Sequence, residues 1–239
     1  MNKGTVISLC DYTGIMVMPW VKAGYSAVLV DPQHEDKALR ESGIRTIAKR
    51  IDEATEEIAR IIKVENIVAV FGFPVCTDLA VSGAAHWQAK REKDIHFQAK
   101  AMQLVNECRM IGELSGAPWF IENPISAIST IWRKPDHTFH PYEYGGYLPE
   151  NDQHPQYPEY IKPRDAYPKK TCLWVGNGFV MPKKRKVDCE PGYSDSYKKL
   201  GGKSMKTKNI RSATPRSFAQ AVFEANSPKP ALTLLEKTA

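Results

Sequence analysis

Several features that mark common classes of protein are missing from this sequence. No stretch reaches the roughly 18 uninterrupted apolar residues of a membrane span, and the opening segment MNKGTVISLCDYTG lacks the apolar core of a signal peptide. The five cysteines form no C-x-x-C pair, which disfavours a disulfide framework or a zinc ribbon. His137 and His140 are interpreted as ordinary loop histidines rather than metal ligands. We therefore expect a cytoplasmic protein, favoured as a monomer, that binds neither metal nor membrane.

Positive charge is concentrated in one part of the chain. The 239 residues can form one domain, and a composition of 42% hydrophobic and 25% charged residues is ordinary for a globular protein. Residues 162–211 carry 14 Lys and Arg against 4 Asp and Glu, a net of +10, whereas residues 1–161 carry 16 against 21. Four aromatic residues are interleaved with this charge: Tyr167, Trp174, Tyr193 and Tyr197. The segment 162–211 is therefore predicted to contact a nucleic acid.

The first half of the chain alternates between strand-like and helix-like segments. Helices are predicted at 16–23, 52–64 and 94–114, and the strands between them at 5–9, 27–30, 44–47, 67–71 and 119–121. This order predicts an α/β fold with a mostly parallel sheet and helices on both faces. In such folds ligands bind at the carboxyl ends of the strands.

The second half is less regular. Residues 134–168 are predicted to form an ordered but irregular segment, and residues 170–175 a further strand. Residues 183–209 form a small irregular basic insertion that we expect to be mobile without a partner. Thr214 is predicted to cap the last helix, with Pro215 at its first position.

Polar residues at the ends of the first two strands indicate a nucleotide-like cofactor. Asp11, Tyr12, Thr13 and Gly14 form a turn after the first strand, and Asp31 follows the second. Such a cofactor needs close backbone approach at the first turn and a carboxylate for its ribose hydroxyls about twenty residues on. Asp31 is predicted to bind those hydroxyls, and Asp52 to lie at the same edge.

A nucleophile and a carboxylate follow two later strands. Cys76 stands two residues after Pro74, in the segment Gly72 to Gly83, where a stiff loop displays its thiol. Glu122 and Asn123 follow the strand at 119–121. A thiol and a carboxyl group at neighbouring strand ends are what addition to a pyrimidine ring requires.

These segments resemble the cytosine-C5 DNA methyltransferases, in particular short phage-type members. The family's nucleophile loop G-x-P-P-C-Q-x-F-S-x-A-G is similar to Gly72–Gly83, its E-N-V signature to Glu122-Asn123-Pro124, and its closing R-x-L-T-P-R-E segment to 211–216. Its Q-x-R-x-R strand resembles 169–174 only loosely. The chain departs from the family at Val75, Ala80 and Pro124, and its turn after the first strand is one residue and one glycine shorter.

The resemblance implies an S-adenosylmethionine-dependent methyltransferase (Rossmann-like) fold, with a catalytic domain at 1–182 and 210–239 and a reduced target-recognition region at 183–209. It implies methyl transfer to C5 of cytosine in DNA: Cys76 adds to C6, Glu122 bonds N3 and the exocyclic amine, and S-adenosylmethionine donates the methyl group. Asn123 and Lys170 are the other predicted catalytic residues. The predicted cofactor-binding set is Asp11, Tyr12, Thr13, Gly14, Asp31, Asp52 and Pro74. The predicted nucleic-acid-binding set is Lys183, Lys184, Arg185, Lys186, Lys203, Lys206, Lys208 and Arg211.

Three alternatives remain open from the residues alone. The same chemistry could act on single-stranded DNA or on a deoxycytidine nucleotide, which would avoid the cost of extruding a base from a duplex. A protein on the same fold could bind nucleic acid without turnover, although Cys76 and Glu122 are both present. An amino-methylating enzyme is disfavoured, because such enzymes carry an Asp/Asn-Pro-Pro-aromatic loop where this chain has Phe73-Pro74-Val75-Cys76.

Overall fold

The computed structural model describes residues 3–36, 42–201 and 204–228 and shows an α/β fold. One seven-stranded sheet has the order β3-β2-β1-β4-β5-β7-β6. The strands are β1 Thr5–Leu9, β2 Ser26–Val30, β3 Ile44–Ile47, β4 Ile67–Gly72, β5 Trp119–Pro124, β6 His137–Phe139 and β7 Thr171–Gly176. Neighbours among β1 to β5 pair in parallel, and β7 pairs antiparallel with both β5 and β6. The predicted mostly parallel sheet is confirmed.

Helices connect the strands and cover the sheet. They are α1 Met18–Lys22, α2 Ile51–Val64, α3 Trp87–Lys93, α4 Phe97–Ser115, α5 Ile128–Ile131, α6 Asp195–Lys199, α7 Met205–Ser212 and α8 Arg216–Asn226. Short 3-10 helices lie at Ile15–Val17, Val81–His86, Pro141–Tyr147 and Pro163–Asp165. Among the residues described, no helix is both long enough and apolar enough to cross a membrane.

Both faces of the sheet are buried, which explains why its central strands are almost continuously apolar. Successive side chains of a strand point to opposite faces, so Ile7 packs in a core with α2 and α4, while Val6 packs in a second core with α1 and α8. The second core is rich in aromatic residues. Its Trp20 meets Phe223 of α8 edge-on, with ring centroids 5.3 Å apart.

Several predicted boundaries were wrong, and each has a local cause. The long helix begins at Phe97 rather than Asp94, because Asp94 ends α3 and accepts a hydrogen bond from the His96 N–H. Thr214 does not cap α8. Pro215 occupies that position, and the Ser217 N–H is bound instead by the Asp165 carboxylate at 2.8 Å.

The basic segment 183–209 is tied to the rest of the domain. The Gly146 N–H donates to the Arg185 carbonyl at 2.8 Å, and the Val187 N–H donates to the Tyr142 carbonyl at 3.0 Å. Both bonds attach the segment to the 3-10 helix Pro141–Tyr147. Helix α6 and most of α7 belong to the same segment.

Candidate active site

The carboxyl ends of β1, β2, β4 and β5 lie side by side at one edge of the sheet. The chain runs outward from β1 in one direction to β2 and β3, and in the other to β4 and β5. In parallel α/β sheets this reversal opens a crevice, where ligands bind. Of the predicted catalytic and cofactor-binding residues, 11–14, Asp31, Pro74 and Cys76 follow these strands. Glu122 and Asn123 lie within β5, paired with Leu173 and Cys172 of β7, while Asp52 lies in α2 and Lys170 directly before β7.

The Asp11 carboxylate organises the turn after β1. It is buried and accepts hydrogen bonds from the Ser8 hydroxyl (2.8 Å), the Gly14 N–H (2.8 Å) and the Thr13 hydroxyl (3.1 Å). Burial raises the pKa of Asp11, although these bonds act in the opposite direction. Gly14 has φ +64°, and a Cβ there would lie 2.9 Å from Leu29 Cδ1. Asp11 therefore shapes the turn rather than presenting its oxygens to a ligand.

The Asp31 carboxylate is positioned differently from that of Asp11. Asp31 Oδ1 accepts the Gln33 N–H at 2.8 Å, whereas Oδ2 makes no hydrogen bond within the described residues.

Tyr12 lies beside His34. Tyr12 is 43% exposed, and the centroids of the two rings are 5.5 Å apart. His34 Nε2 is 3.0 Å from the Asp11 carbonyl oxygen. Sequence reasoning missed His34, because only the folded turns bring it beside Tyr12.

Asp52 is not joined to this group in the part of the chain that the structure describes. It is exposed on the first turn of α2 and pairs with Arg50 at 3.1 Å. Hydrogen bonding to Arg50 lowers the pKa of Asp52. The carboxylate therefore serves the start of α2, which also benefits from negative charge at a helix N-terminus.

The loop that carries Cys76 is held by three elements. The Cys76 carbonyl accepts the N–H groups of Leu79 (3.0 Å) and Ala80 (2.8 Å), which makes a tight turn. Lys90 of α3 binds the Thr77 carbonyl at 3.1 Å and the Asp78 carboxylate. Behind the turn, the Ala127 N–H donates to the Leu79 carbonyl at 2.8 Å. These contacts hold the loop although Val75 lacks the rigidity of a proline.

Asn123 attaches β5 to the same loop. Its side chain is almost fully buried, and Nδ2 donates to the Pro74 carbonyl at 2.9 Å. Pro74 is itself buried, so its role here is to offer this carbonyl. The Asn123 Oδ1 atom is buried without a hydrogen-bond partner among the described residues. Asn123 is thus a positioning residue for the Cys76 loop.

Glu122 points to the other face of the sheet, into a narrow cavity beneath the segment before α8. The lining includes Phe73, Glu122, Phe139, Lys169, Thr214 and Phe218. Glu122 keeps some accessible surface within the cavity but is surrounded by protein atoms, and this burial raises the pKa of its carboxyl group. Lys169 opposes that rise. A neutral Glu122 can donate a hydrogen bond as well as accept one.

Cys76, Glu122 and Lys169 interact electrostatically. Burial is the main cause that raises the pKa of the Cys76 thiol, and the Glu122 charge raises it further. Lys169 lowers it. The half-buried Cys76 is consequently a thiol in this environment, and Lys169 is the group that favours its thiolate.

Lys169 and Lys170 have separate surroundings. Lys169 is partly buried, and its Nζ donates to the Arg211 carbonyl at 3.1 Å. Lys170, the predicted catalytic residue, is exposed and acts instead on the pKa values of Cys172 and His140, which it lowers. The sequence pattern does not show which of these two adjacent lysines faces β5.

The basic tetrad 183–186 has partners within the protein. Lys184 and Lys186 lie 2.8 and 3.8 Å from the mostly buried Glu143 carboxylate. Arg185 pairs with Glu224 at 3.5 Å and lies 4.0 Å from the centre of the Tyr147 ring. By contrast, Lys183, Lys206 and Lys208 are exposed and form no ion pair within the described ranges, and Lys203 lies outside them.

No family model matches the chain, and no curated protein matches it significantly. The fold defines the class of the protein: it is an α/β protein with a mostly parallel seven-stranded sheet, compatible with a Rossmann-like fold. Among the described residues, no group of three or more His, Cys, Asp or Glu side chains is arranged to hold a metal ion.

Proposed function

We propose that this protein is an S-adenosylmethionine-dependent methyltransferase that acts on C5 of cytosine in DNA through a covalent bond from Cys76. One observation carries the proposal: Cys76 lies in the loop that follows β4, Glu122 lies in the adjacent parallel strand β5, and the Glu122 charge raises the pKa of the Cys76 thiol. Lys169 acts on both groups. A structural cysteine would need no such neighbours, since buried cysteines usually behave as small apolar residues.

Each residue has a role that its environment supports. The Cys76 sulfur forms a bond to C6 of the ring, and the electron pair of the C5–C6 double bond moves toward C5 and N3. Burial raises the pKa of Glu122, and in its protonated form this carboxyl group donates a hydrogen bond at N3 and stabilises the charge that develops on the ring. Lys169 favours the thiolate before attack. Asn123 keeps the loop in place through Pro74.

The turns after β1 and β2 fit an adenosine-containing cofactor. Asp31 Oδ2 is available for a ribose hydroxyl, and Tyr12 and His34 offer aromatic rings beside the first turn. S-adenosylmethionine bound here would supply an electrophilic methyl group to C5. Loss of the C5 proton and release of the Cys76 thiolate from C6 would then restore the C5–C6 double bond. Of the predicted cofactor-binding residues, Tyr12, Thr13, Gly14 and Asp31 lie in these two turns, and Asp11 shapes the first of them. Pro74 contacts Asn123 instead, and Asp52 pairs with Arg50.

Covalent trapping tests the proposal. DNA containing 5-fluorocytosine is incubated with the full chain and S-adenosylmethionine; because fluorine cannot leave C5 as a proton does, the adduct persists. We expect mass spectrometry to place it on Cys76 and to find none in Cys76→Ser. Cys189→Ser is the matched control, since Cys189 has comparable partial exposure but lies outside the sheet. An adduct on another cysteine, or methyl transfer retained in Cys76→Ser, would contradict the proposal.

A further inference from the structure

Two tyrosines in the basic segment form an exposed stacked pair. The ring centroids of Tyr193 and Tyr197 are 4.6 Å apart with an interplanar angle of 21°, although the two residues are 66% and 58% exposed. The Ser194 hydroxyl accepts the Tyr197 N–H at 3.3 Å and fixes the start of α6 between them. Two large rings thus face solvent in a defined geometry, where an ordinary surface would carry small or charged side chains.

The segment that carries this pair is rich in positive charge. Residues 191–211 contain six Lys and Arg against one Asp. Lys198, Lys206 and Lys208 are exposed and have no ion pair among the residues described. The Arg211 guanidinium lies 5.8 Å from the centre of the Tyr197 ring and is held by the Leu200 carbonyl at 2.5 Å. Aromatic rings within unpaired positive charge match a ligand that has both flat bases and phosphates.

The pair is connected to the candidate active site. The Arg211 carbonyl accepts the hydrogen bond from Lys169, which lines the cavity beside Glu122. On the other side, Asn209 Nδ2 donates to Gln33 Oε1 at 3.2 Å, in the turn that follows Asp31. Helix α7 therefore links the tyrosines to both the Glu122 cavity and the cofactor-binding turns.

We infer that Tyr193 and Tyr197 form a stacking platform for unpaired bases of a single-stranded DNA segment, beside the base that enters the active site. This inference rests on the proposed function, which supplies its ligand, a cytosine-containing DNA strand. It adds that this strand is unpaired and names the residues that bind it. Bases of a duplex are already stacked on each other and leave no ring face for a tyrosine. An unpaired strand exposes both faces, and its phosphates can meet Lys198, Lys206 and Lys208.

Binding measurements on the full chain test the platform. The probe is a labelled deoxyoligonucleotide of about 12 nucleotides, within the site sizes common for single-strand binding. Fluorescence anisotropy should show Tyr193→Ala and Tyr197→Ala binding it about 5-fold to 100-fold more weakly, as expected for one lost stacked base. Tyr193→Phe and Tyr197→Phe keep the ring and should bind like the parent.

An abasic strand of the same length separates stacking from charge. The parent should bind it more weakly than the base-containing strand, and the alanine variants should lose nothing further. Unchanged affinity of the alanine variants for the base-containing strand, or an equal loss for both strands, would overturn the platform. Its failure is distinguishable from failure of the proposed chemistry, because the Cys76 adduct is read by mass spectrometry: tyrosine-dependent binding without an adduct contradicts the chemistry alone.

Discussion

Asn123 Nδ2 donates a hydrogen bond to the carbonyl oxygen of Pro74 at 2.9 Å and joins β5 to the loop that presents Cys76. The two residues are 49 positions apart in the chain. Because Asn123 and Glu122 are consecutive in a strand, their side chains leave opposite faces of the sheet. One strand therefore holds the Cys76 loop through Asn123 and lines the neighbouring cavity with Glu122.

Removal of this bond should weaken catalysis more than folding. Asn123→Leu leaves the buried Pro74 carbonyl unpaired, at a cost of about 1–3 kcal/mol, and allows the Cys76 loop to shift. We expect slower adduct formation with 5-fluorocytosine DNA while Cys76 is intact. Asn226→Leu is the control, because Asn226 makes an equivalent bond to the Val180 carbonyl at 2.9 Å outside the site. Equal adduct rates in the two variants would show that Asn123 is only structural.

Substitution of Lys169 should alter the ionisation of Cys76. Lys169→Met removes the charge that lowers the pKa of that thiol, so alkylation of Cys76 by iodoacetamide at neutral pH should slow, by about tenfold for each unit of pKa increase. The pH profile of alkylation, followed by peptide mass spectrometry, checks this. Lys170→Met should leave the profile of Cys76 unchanged. If the Lys170 variant shifts the profile and the Lys169 variant does not, the assignment of Lys169 is wrong.

Asp31 and Asp52 should differ in cofactor binding. Asp31→Ala removes a carboxylate with an available oxygen, so the affinity for S-adenosylmethionine should fall roughly tenfold or more, as for loss of a hydrogen bond to a charged group. Asp52→Ala removes a carboxylate that faces Arg50 and should change the affinity little. Isothermal titration calorimetry gives both values, and an unchanged affinity in Asp31→Ala would remove Asp31 from the site.

Lys184 should matter for stability as well as for any contact with DNA. Burial raises the pKa of Glu143, but its hydrogen bonds to Lys184 and the His140 N–H outweigh that effect and hold the pKa below its usual value. Lys184→Met should cost about 1–2 kcal/mol, measured by urea unfolding. Lys183→Met should stay within about 0.5 kcal/mol, because that side chain is exposed. Equal stability of the two variants would show that the Lys184–Glu143 pair is not stabilising.

Asp165 should make stability depend on pH. Burial raises its pKa from 3.8 to about 6, against the Ser217 N–H and the charge of Arg216, while Asp152 acts in the same direction as burial. The folded state therefore binds the proton of the Asp165 carboxyl group more tightly than the unfolded state does. The contribution of this group to the free energy of unfolding is full below about pH 4 and is lost as the pH rises to about 6. The loss amounts to up to about 3 kcal/mol.

Asp165→Asn isolates this contribution. Asparagine is neutral throughout, can still accept the Ser217 N–H, and tolerates the positive φ of 49° at this position. From pH 4 to pH 6, the unfolding free energy of the variant should increase relative to that of the parent. All other groups titrate in both proteins, so their effects cancel in this difference. A difference that does not change with pH would contradict the raised pKa.

The order of elements and the placement of Cys76 followed from the sequence alone. Strands buried on both faces are apolar throughout, so β1, β2 and β4 could be recognised from short runs of Val, Ile, Leu and Ala. Parallel strands end at the same edge, so the sequence predicted Asp31, Cys76, Glu122 and Asn123 at one edge of the sheet, but Glu122 and Asn123 lie within β5. These predictions needed only local pattern and the geometry of parallel sheets.

Tertiary structure decided which side chains meet. Glu122 and Asn123 lie within β5 because β7, about fifty residues later, pairs antiparallel with it, and that register sends one side chain to the cavity and the other to Pro74. The same register sets Lys169, rather than Lys170, beside Glu122. The internal partners of the basic tetrad, Glu143 and Glu224, also depend on contacts between segments about 40 residues apart, which a local pattern of residues does not show.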